Sequence, residues 1–545
     1  MLNKIKNTTF VIILFLSFNG ISQSNGFEVI RSLELMDQIY EHLEKYYVDD
    51  IQTGSLSKTA IDAMLKKLDP YTVYYHESNI EDYQLMTTGQ YGGIGSLIRR
   101  KGDFVYISEP YEGNPAAKSG LKAGDKIVSI DGISMAKKDS ETVSKALKGP
   151  KGTELKIEIE RIGTGKQTFT VVRDEIKLLD VPYSGIIKDK VGYIKLNSFT
   201  RTASSEVKKS LLKLKEEGME SLILDLRGNG GGLLIEAVRI VNLFVPKNEV
   251  VVTTKGRVLE ENRVYKTEFP PVDLTIPIVV LVNEGSASAS EIVSGSLQDL
   301  DRAVIVGTQS YGKGLVQRTY DLNYGSKMKL TIAKYYTPSG RCVQRLEYYD
   351  KLDEDAAEEV PDSLITVFKT KNGRDVIDGR GVEPDVGVNQ KELSRLTITM
   401  LQSNHFFDYA TNYYYSHPTI ASPKEFELSD QEYDAFKEYV LKQDFTYSTA
   451  SEEMLKKVKK TAEKEDFYED IKDKYTALLL EVTPSKERDL VKFESQIRSI
   501  LSNEIVSRYY YQNGRAIQSF KNNMFINKAI EILQNNSQYN TILGN

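Results

Sequence analysis

Three short runs of branched apolar residues, at 221–226, 278–282 and 303–306, constrain this chain more than any other feature. Runs of this length with almost no polar alternation read as strands covered on both faces. Helical patterns lie between them. Val207, Leu211 and Leu214 share one face of a predicted helix over 203–217, which Gly218 ends. A tight loop, Arg227-Gly228-Asn229-Gly230-Gly231-Gly232, leads into a second predicted helix over 233–244. Strand and helix in alternation predict an α/β core with a largely parallel sheet.

The second run enters Asn283-Glu284-Gly285-Ser286-Ala287-Ser288-Ala289-Ser290-Glu291. This is a strand, a glycine turn and a helix start. Such a turn presents a hydroxyl at the carboxyl end of a strand, beside unpaired backbone N–H groups. Those groups can stabilise an oxyanion, so Ser288 is the candidate nucleophile. It needs a base. The four histidines, His42, His76, His405 and His417, all fall outside the α/β core, which leaves no Ser-His-Asp triad within it. Lysine is the alternative, provided burial lowers its ordinary pKa of about 10.4 and leaves it neutral. Lys313 stands between two glycines in Tyr311-Gly312-Lys313-Gly314-Leu315-Val316-Gln317. Gln317, a neutral hydrogen-bonding group, could orient the amine without holding it protonated. Gly307-x4-Gly312-Lys313 also looks like the start of a phosphate-binding loop. That reading fails on Gly314, where a hydroxyl is needed, and on the strand pattern that follows.

The flanks differ in character. Lys4 and Lys6, then the apolar stretch 10–16, then small and polar residues to Ser24, read as an export signal. The apolar stretch is short of the ~20 residues that span a bilayer, which favours a cleaved segment over an uncleaved anchor. No cysteine follows it, which argues against a lipoprotein anchor. Helical spacing recurs over 27–48, and a second helix is expected from Ser57 as N-cap to Pro70. A single cysteine, Cys342, excludes an intrachain disulfide and a cysteine-based zinc site. A net charge of -6 gives no basic footprint for nucleic acid.

Between residues 89 and 175 lie a glycine loop, short strands, and Gly120-Leu121-Lys122-Ala123-Gly124-Asp125-Lys126-Ile127. This segment resembles a PDZ domain. The resemblance implies that Gly93, Ile94 and Gly95 hold the carboxylate of a peptide tail added to a sheet edge. The larger resemblance is carried by four blocks in order: 225–232; Gly285-Ser286-Ala287-Ser288-Ala289-Ser290-Glu291; Gly312-Lys313-Gly314 with Gln317; and Tyr335-Tyr336-Thr337-Pro338-Ser339-Gly340-Arg341. The Leu68-Asp69-Pro70-Tyr71 turn precedes them. Together they resemble the carboxy-terminal processing, or tail-specific, proteases.

That resemblance implies an α/β multidomain fold: a crotonase/ClpP-like protease core, an inserted PDZ domain, and helical N- and C-terminal regions. It implies Ser288 as nucleophile, Lys313 as base and Gln317 as the residue that orients it. Backbone N–H groups of Ala289 and of Gly232 or Gly231 would form the oxyanion hole. Asp299 would be structural, with Arg302 as its partner, and Arg161 would match a coupling arginine. No metal and no cofactor are expected. The implied partners are proteins or peptides with exposed C-termini, with membrane proximity and a homodimer or adaptor left open. The expected division is a signal peptide (1–24), a helical domain (25–88), the PDZ domain (89–175), the protease core (176–389) and a helical domain (390–545), in a periplasmic protein. An acidic insertion around Asp353-Glu354-Asp355 and the helical tail lie outside the resemblance. Two rivals are a non-catalytic PDZ adaptor on an inactive protease fold and an acyl-CoA-binding enzyme. Nothing basic and aromatic marks a CoA pocket.

Overall fold

The computed structural model describes residues 24–77, 80–348, 357–389 and 392–545. Most of the export segment and the acidic Asp353-Glu354-Asp355 lie outside the described residues. Among the described residues, no helix is long and apolar enough to cross a membrane. The chain forms two compact units.

The first unit contains the N-terminal region to Glu77 and residues 317–331. Its elements are α1 (Ser24–Tyr46), α2 (Thr53–Lys66) and β1 (Val73–Tyr75). Ser57 is not an N-cap: α2 begins a turn earlier, and the Ser57 hydroxyl donates back to the Thr53 carbonyl at 2.9 Å. A serine inside a helix can satisfy itself this way, so it marks no boundary. The Leu68–Tyr71 turn is set by Asp69, whose carboxylate accepts from the N–H groups of Tyr71 and Thr72, each at 2.8 Å. β1 then pairs antiparallel with residues 327–329, Val73 opposite Lys329.

The second unit opens with α3 (Ile80–Thr88), β2 (Gln90–Gly93) and the PDZ-like sheet. That sheet has the strands β3 (Ser96–Lys101), β4 (Phe104–Pro110), β5 (Lys126–Ile130), β6 (Ile133–Ser134), β7 (Glu154–Arg161) and β8 (Gly165–Val172). α4 (Pro115–Lys118) and α5 (Ser140–Leu147) complete it, and β9 (Asp174–Lys177) returns to pair with β2. Its core gathers Val105, Ile107, Ile127, Val143, Leu155 and Ile157, all fully buried.

The main sheet follows: β10 (Tyr183–Lys188), β11 (Val191–Lys195), α6 (Ala203–Glu216), β12 (Ser221–Asp225) and α7 (Leu234–Val241). β13 (Val250–Gly256) and β14 (Arg263–Lys266) form a hairpin outside it. β15 (Ile278–Val282), α8 (Ala289–Asp299) and β16 (Val304–Gly307) resume the alternation. β17 (Leu315–Asp321) and β18 (Lys327–Tyr336) come next, and the end of β18 pairs with β13. Short pieces β19 (Leu346–Glu347), β20 (Glu358–Glu359), β21 (Val367–Lys369) and β22 (Asp375–Ile377) precede β23 (Val386–Gly387). The order across the main sheet is β10-β11-β12-β15-β16-β23. All its pairings are parallel except β10 with β11.

The alternation of strand side chains divides this sheet into two cores. Ile194, Leu222, Leu224, Ile278, Val280 and Ile305 face α6, α7 and α8. Tyr193, Ile223, Val279, Leu281, Val304 and Val306 face the other way. What covers that second face lies more than 130 residues downstream. Phe525, Ile526, Ala529, Ile532 and Leu533 of α16 (Met524–Gln534), with Tyr539 of α17 (Asn536–Ile542), pack onto it. The tail is therefore not wholly accessory, since its last two helices are the third layer of the core. The helices before them, α9 (Arg395–Gln402) to α15 (Glu494–Ser519), have their own core around Phe406, Tyr433, Phe436, Leu490 and Ile505.

The helical region also holds the PDZ-like sheet. Arg515 pairs with buried Glu109 of β4 at 2.8 Å, and Lys101 pairs with Asp408 at 2.6 Å. Gly124 abuts Thr411 so closely that a Cβ would lie 2.3 Å from its methyl group.

Candidate active site

The site is assembled where β12, β15 and β16 end side by side. Parallel neighbours bring their carboxyl-terminal loops to the same edge of the sheet, where open α/β sheets place their sites. The β12 loop is anchored below by Asp225. Burial alone would raise its carboxyl pKa, but Lys195 and Arg227 hold it well below the ordinary range, with Tyr193 donating at 2.6 Å. The Arg227 guanidinium also lies over the Phe525 ring, 4.8 Å from its centre.

The β12 and β15 loops are laced together. The Asn229 carbonyl accepts from the Ala287 N–H at 3.0 Å and the Ser290 hydroxyl at 2.8 Å. Ser286 donates to the Leu226 carbonyl at 2.9 Å. Ser286 and Ser290 are thus committed to structure, while Ser288 is half-exposed. Ser288 has φ 56° and ψ −110°, a conformation that side chains rarely adopt. Strain of this kind persists only where the surroundings over-determine it, and it is characteristic of nucleophile turns between a strand and a helix.

Gly231, at φ 101°, packs directly against this turn; a Cβ there would lie 2.9 Å from the Ser288 Cβ. Its N–H already donates to the Asn229 side chain at 2.9 Å. Of the two glycines expected to supply an oxyanion donor, Gly231 is therefore a packing position. The N–H groups of Gly232 and Ala289 donate to no acceptor among the described residues.

The β16 loop is joined to the serine by one carboxylate that belongs to none of the predicted catalytic roles. Glu291 is fully buried. Its Oε2 accepts from the backbone N–H of Ser288 at 2.8 Å and of Lys313 at 2.9 Å. Its Oε1 accepts from the Ser310 hydroxyl at 2.6 Å and the Gly312 N–H at 2.7 Å. The two backbone nitrogens thus sit within two hydrogen-bond lengths of each other. Burial pushes the Glu291 carboxyl up, against these four donors. An acid at the third helical position was visible in the sequence as a capping signal. Its reach into the next loop depends on β15 lying beside β16, which no local pattern reveals.

The Lys313 side chain is half-buried. Gly312 allows the loop to pass Arg345, where a Cβ would come within 2.5 Å of the Arg345 Cβ. The Gly314 N–H donates to Gln344 at 2.6 Å, and the Tyr335 hydroxyl donates to the Ser288 carbonyl at 3.1 Å. Gln317 belongs to the first unit, where it donates to the Thr331 hydroxyl at 3.1 Å. Asp299 pairs with Arg341 at 2.9 Å, not with Arg302, whose guanidinium is taken by the carbonyls of Phe244, Ile276 and Asp273. Arg161 pairs with Asp125 at 2.7 Å inside the PDZ-like sheet.

The second predicted site, Gly93-Ile94-Gly95, forms the turn between β2 and β3. The carbonyls of Ile94 and Gly95 are taken, by Ala116 at 2.8 Å and Tyr111 at 2.9 Å. Their N–H groups donate to no acceptor among the described residues. A cavity of about 1230 Å³ lies between the PDZ-like sheet, the protease core and the helical region. Tyr111, Tyr183, Arg227, Asn283, Arg515 and Phe520 are among its walls.

A parallel α/β sheet with a serine on a strained turn, preceded in the chain by a PDZ-like domain, is the architecture of a PDZ-bearing serine protease. Comparison with known proteins makes this specific. Residues 190–349 match peptidase family S41, residues 106–161 match the PDZ domain, and residues 396–533 match the C-terminal helical domain of probable PDZ-proteases. A carboxy-terminal-processing protease of Bartonella bacilliformis is 36% identical over 338 residues, 61% of this chain and 77% of that protein. A probable CtpA-like serine protease of Staphylococcus aureus is 33% identical over 339 residues, 62% of this chain and 67% of that one. A solved photosystem II D1 C-terminal processing protease aligns over 65% of this chain and 86% of its own, at 27% identity and a TM-score of 0.36. The chain belongs to the carboxy-terminal processing proteases of peptidase family S41.

Proposed function

We propose that the protein is an exported endopeptidase that captures unstructured proteins by an apolar C-terminal tail and cleaves them with a Ser288–Lys313 dyad. The tail adds along β3, its carboxylate meeting the unpaired N–H groups of Ile94 and Gly95 beside Gly93. The chain upstream of the tail crosses the cavity toward the β12 and β15 loops.

Ser288 Oγ attacks the scissile carbonyl carbon as its proton passes to a neutral Lys313 Nζ, with Gln317 orienting the amine. The carbonyl oxygen becomes an oxyanion facing the N–H groups of Ala289 and Gly232. The tetrahedral intermediate collapses, the C–N bond breaks, and Lys313 returns the proton to the leaving amine. This leaves an ester on Ser288. Water then attacks it, giving its proton to Lys313, and the acid is released as Ser288 regains its hydroxyl proton. The signal segment supports a periplasmic location for this chemistry.

The observation that supports this reading best is the shared Glu291 Oε2, which ties the Ser288 turn and the Lys313 loop to one atom. Ser288→Ala should abolish cleavage of a polypeptide with an apolar C-terminus while it still binds that polypeptide. Cleavage at the wild-type rate would rule Ser288 out as the nucleophile, and binding without cleavage by the wild type itself would favour the rival reading, a PDZ adaptor whose α/β core is inactive.

A further inference from the structure

Tyr335, near the end of β18, touches both loops that the proposed chemistry uses. Its backbone N–H donates to the Gly314 carbonyl at 2.8 Å, one residue beyond Lys313. Its hydroxyl donates to the Ser288 carbonyl at 3.1 Å. The side chain is buried in the core that also holds Ala289 and Ile292. A buried phenol takes a hydrogen-bond partner, yet this carbonyl was already satisfied. It accepts the first bond of α8, from the Ile292 N–H at 2.9 Å. Both of its lone pairs are thus engaged. Burial and the nearby Glu291 hold the phenol protonated, so it stays a donor. Phenylalanine would fill nearly the same volume, so the hydroxyl is what remains to be explained.

What the second bond does follows from the peptide unit. The Ser288 carbonyl and the Ala289 N–H belong to one planar trans group, so holding the oxygen fixes the direction of the N–H. Accepting hydrogen bonds also polarises the amide and makes its N–H a stronger donor. That N–H lies in the first turn of α8 and donates to no acceptor among the described residues. Beside its nitrogen is Gly231, where a Cβ would come within 3.0 Å. The glycine leaves that space open. The turn needs a brace, because Ser288 at φ 56° and ψ −110° is held against its own preference.

We propose that Tyr335 is a positioning residue of the oxyanion hole, its hydroxyl aiming and strengthening the Ala289 N–H through the Ser288–Ala289 peptide group. The proposal rests on the reading of Ser288 as nucleophile and of the Ala289 N–H as oxyanion donor. Tyr335→Phe tests it, because it removes one oxygen and keeps the packing ring. Losing an oxyanion donor outright costs about 10²–10³ in kcat, and misaiming one should cost about 10-fold, with KM and melting temperature close to those of the wild type. A short peptide aldehyde gives the readout that a merely structural role would not move. Its carbonyl carbon bonds to Ser288 Oγ, the π pair moves onto the oxygen, and the hydroxyl proton passes to Lys313, so the adduct carries the oxyanion. Affinity for the aldehyde should fall by the same factor as kcat. Affinity for a tail peptide with an apolar C-terminus, and the acidic limb of the pH–rate profile that reports Lys313, should stay as in the wild type. Unchanged kcat and aldehyde affinity would overturn the proposal and leave the catalytic reading standing. Equal losses for aldehyde and tail peptide, or a shifted acidic limb, would also overturn it, assigning the hydroxyl to the fold or to the Lys313 loop. Aldehyde binding by Ser288→Ala at wild-type strength would sink the catalytic reading itself, and the proposal with it.

Discussion

Single residues decide how firmly the Ser288 and Lys313 loops are held together. Glu291 offers two oxygens to four donors, and an amide offers only one. Glu291→Gln should therefore leave two N–H or O–H groups facing an NH2, costing about 1–3 kcal/mol of stability. It should lower kcat by about 100-fold through loss of alignment, with little change in KM. Steady-state kinetics and thermal melts separate these effects; unchanged kcat would show that the loops hold their geometry without the carboxylate. Gly231→Ala is harsher, since its methyl would enter the Ser288 turn, and no peptide cleavage is expected from it.

Asp225 acts beneath the loops. Its folded-state pKa is lowered, so the stability it contributes is present above the ordinary carboxylate range and is lost as pH falls. Asp225→Asn should cost about 3–5 kcal/mol at neutral pH by leaving Arg227 and Lys195 buried without their counter-charge. In urea titrations the gap between variant and wild type should narrow steadily below about pH 4. A gap that widens in acid would contradict the assigned ion pairs.

At the scale of elements, α16 and α17 are the clearest case of structure exceeding what sequence reveals. The parallel strands were legible because a strand covered on both faces has no polar alternation, as in Ile278 to Val282. The turn at Ser288 was legible because glycine and small residues interrupt that run before a helix. The identity of the second covering layer was not. An amphipathic helix announces that it has an apolar face, not which surface it meets, and more than 130 residues separate β23 from α16. Phe525 meets both the sheet core and Arg227, so Phe525→Ala should cost about 3–5 kcal/mol. It should also depress kcat, because the guanidinium that braces the β12 loop loses its apolar support. A melting temperature equal to that of the wild type would show that the tail helices merely rest on the core.

Over the larger unit, the PDZ-like sheet is held against the helical region by charge as well as by packing. Glu109 is buried, and burial raises its carboxyl pKa against the pull of Arg515. Arg515→Ala would leave that group without its partner at the edge of the cavity. Hydrogen exchange in β4 should accelerate in the variant, and cleavage of long substrates should fall more than cleavage of short peptides that need no tail capture. Equal losses on both would place the effect in the core and not in the path between domains. The helical region thus both completes the protease fold and holds the PDZ-like domain in place.

The proposed chemistry requires Lys313 to be the base for Ser288. It is tested most directly by the single-turnover rate of Lys313→Ala on a polypeptide with an apolar C-terminus, measured beside the wild type. No detectable acyl-enzyme and no cleavage are expected of the variant, with tail binding and melting temperature retained. Cleavage at the wild-type rate would contradict it.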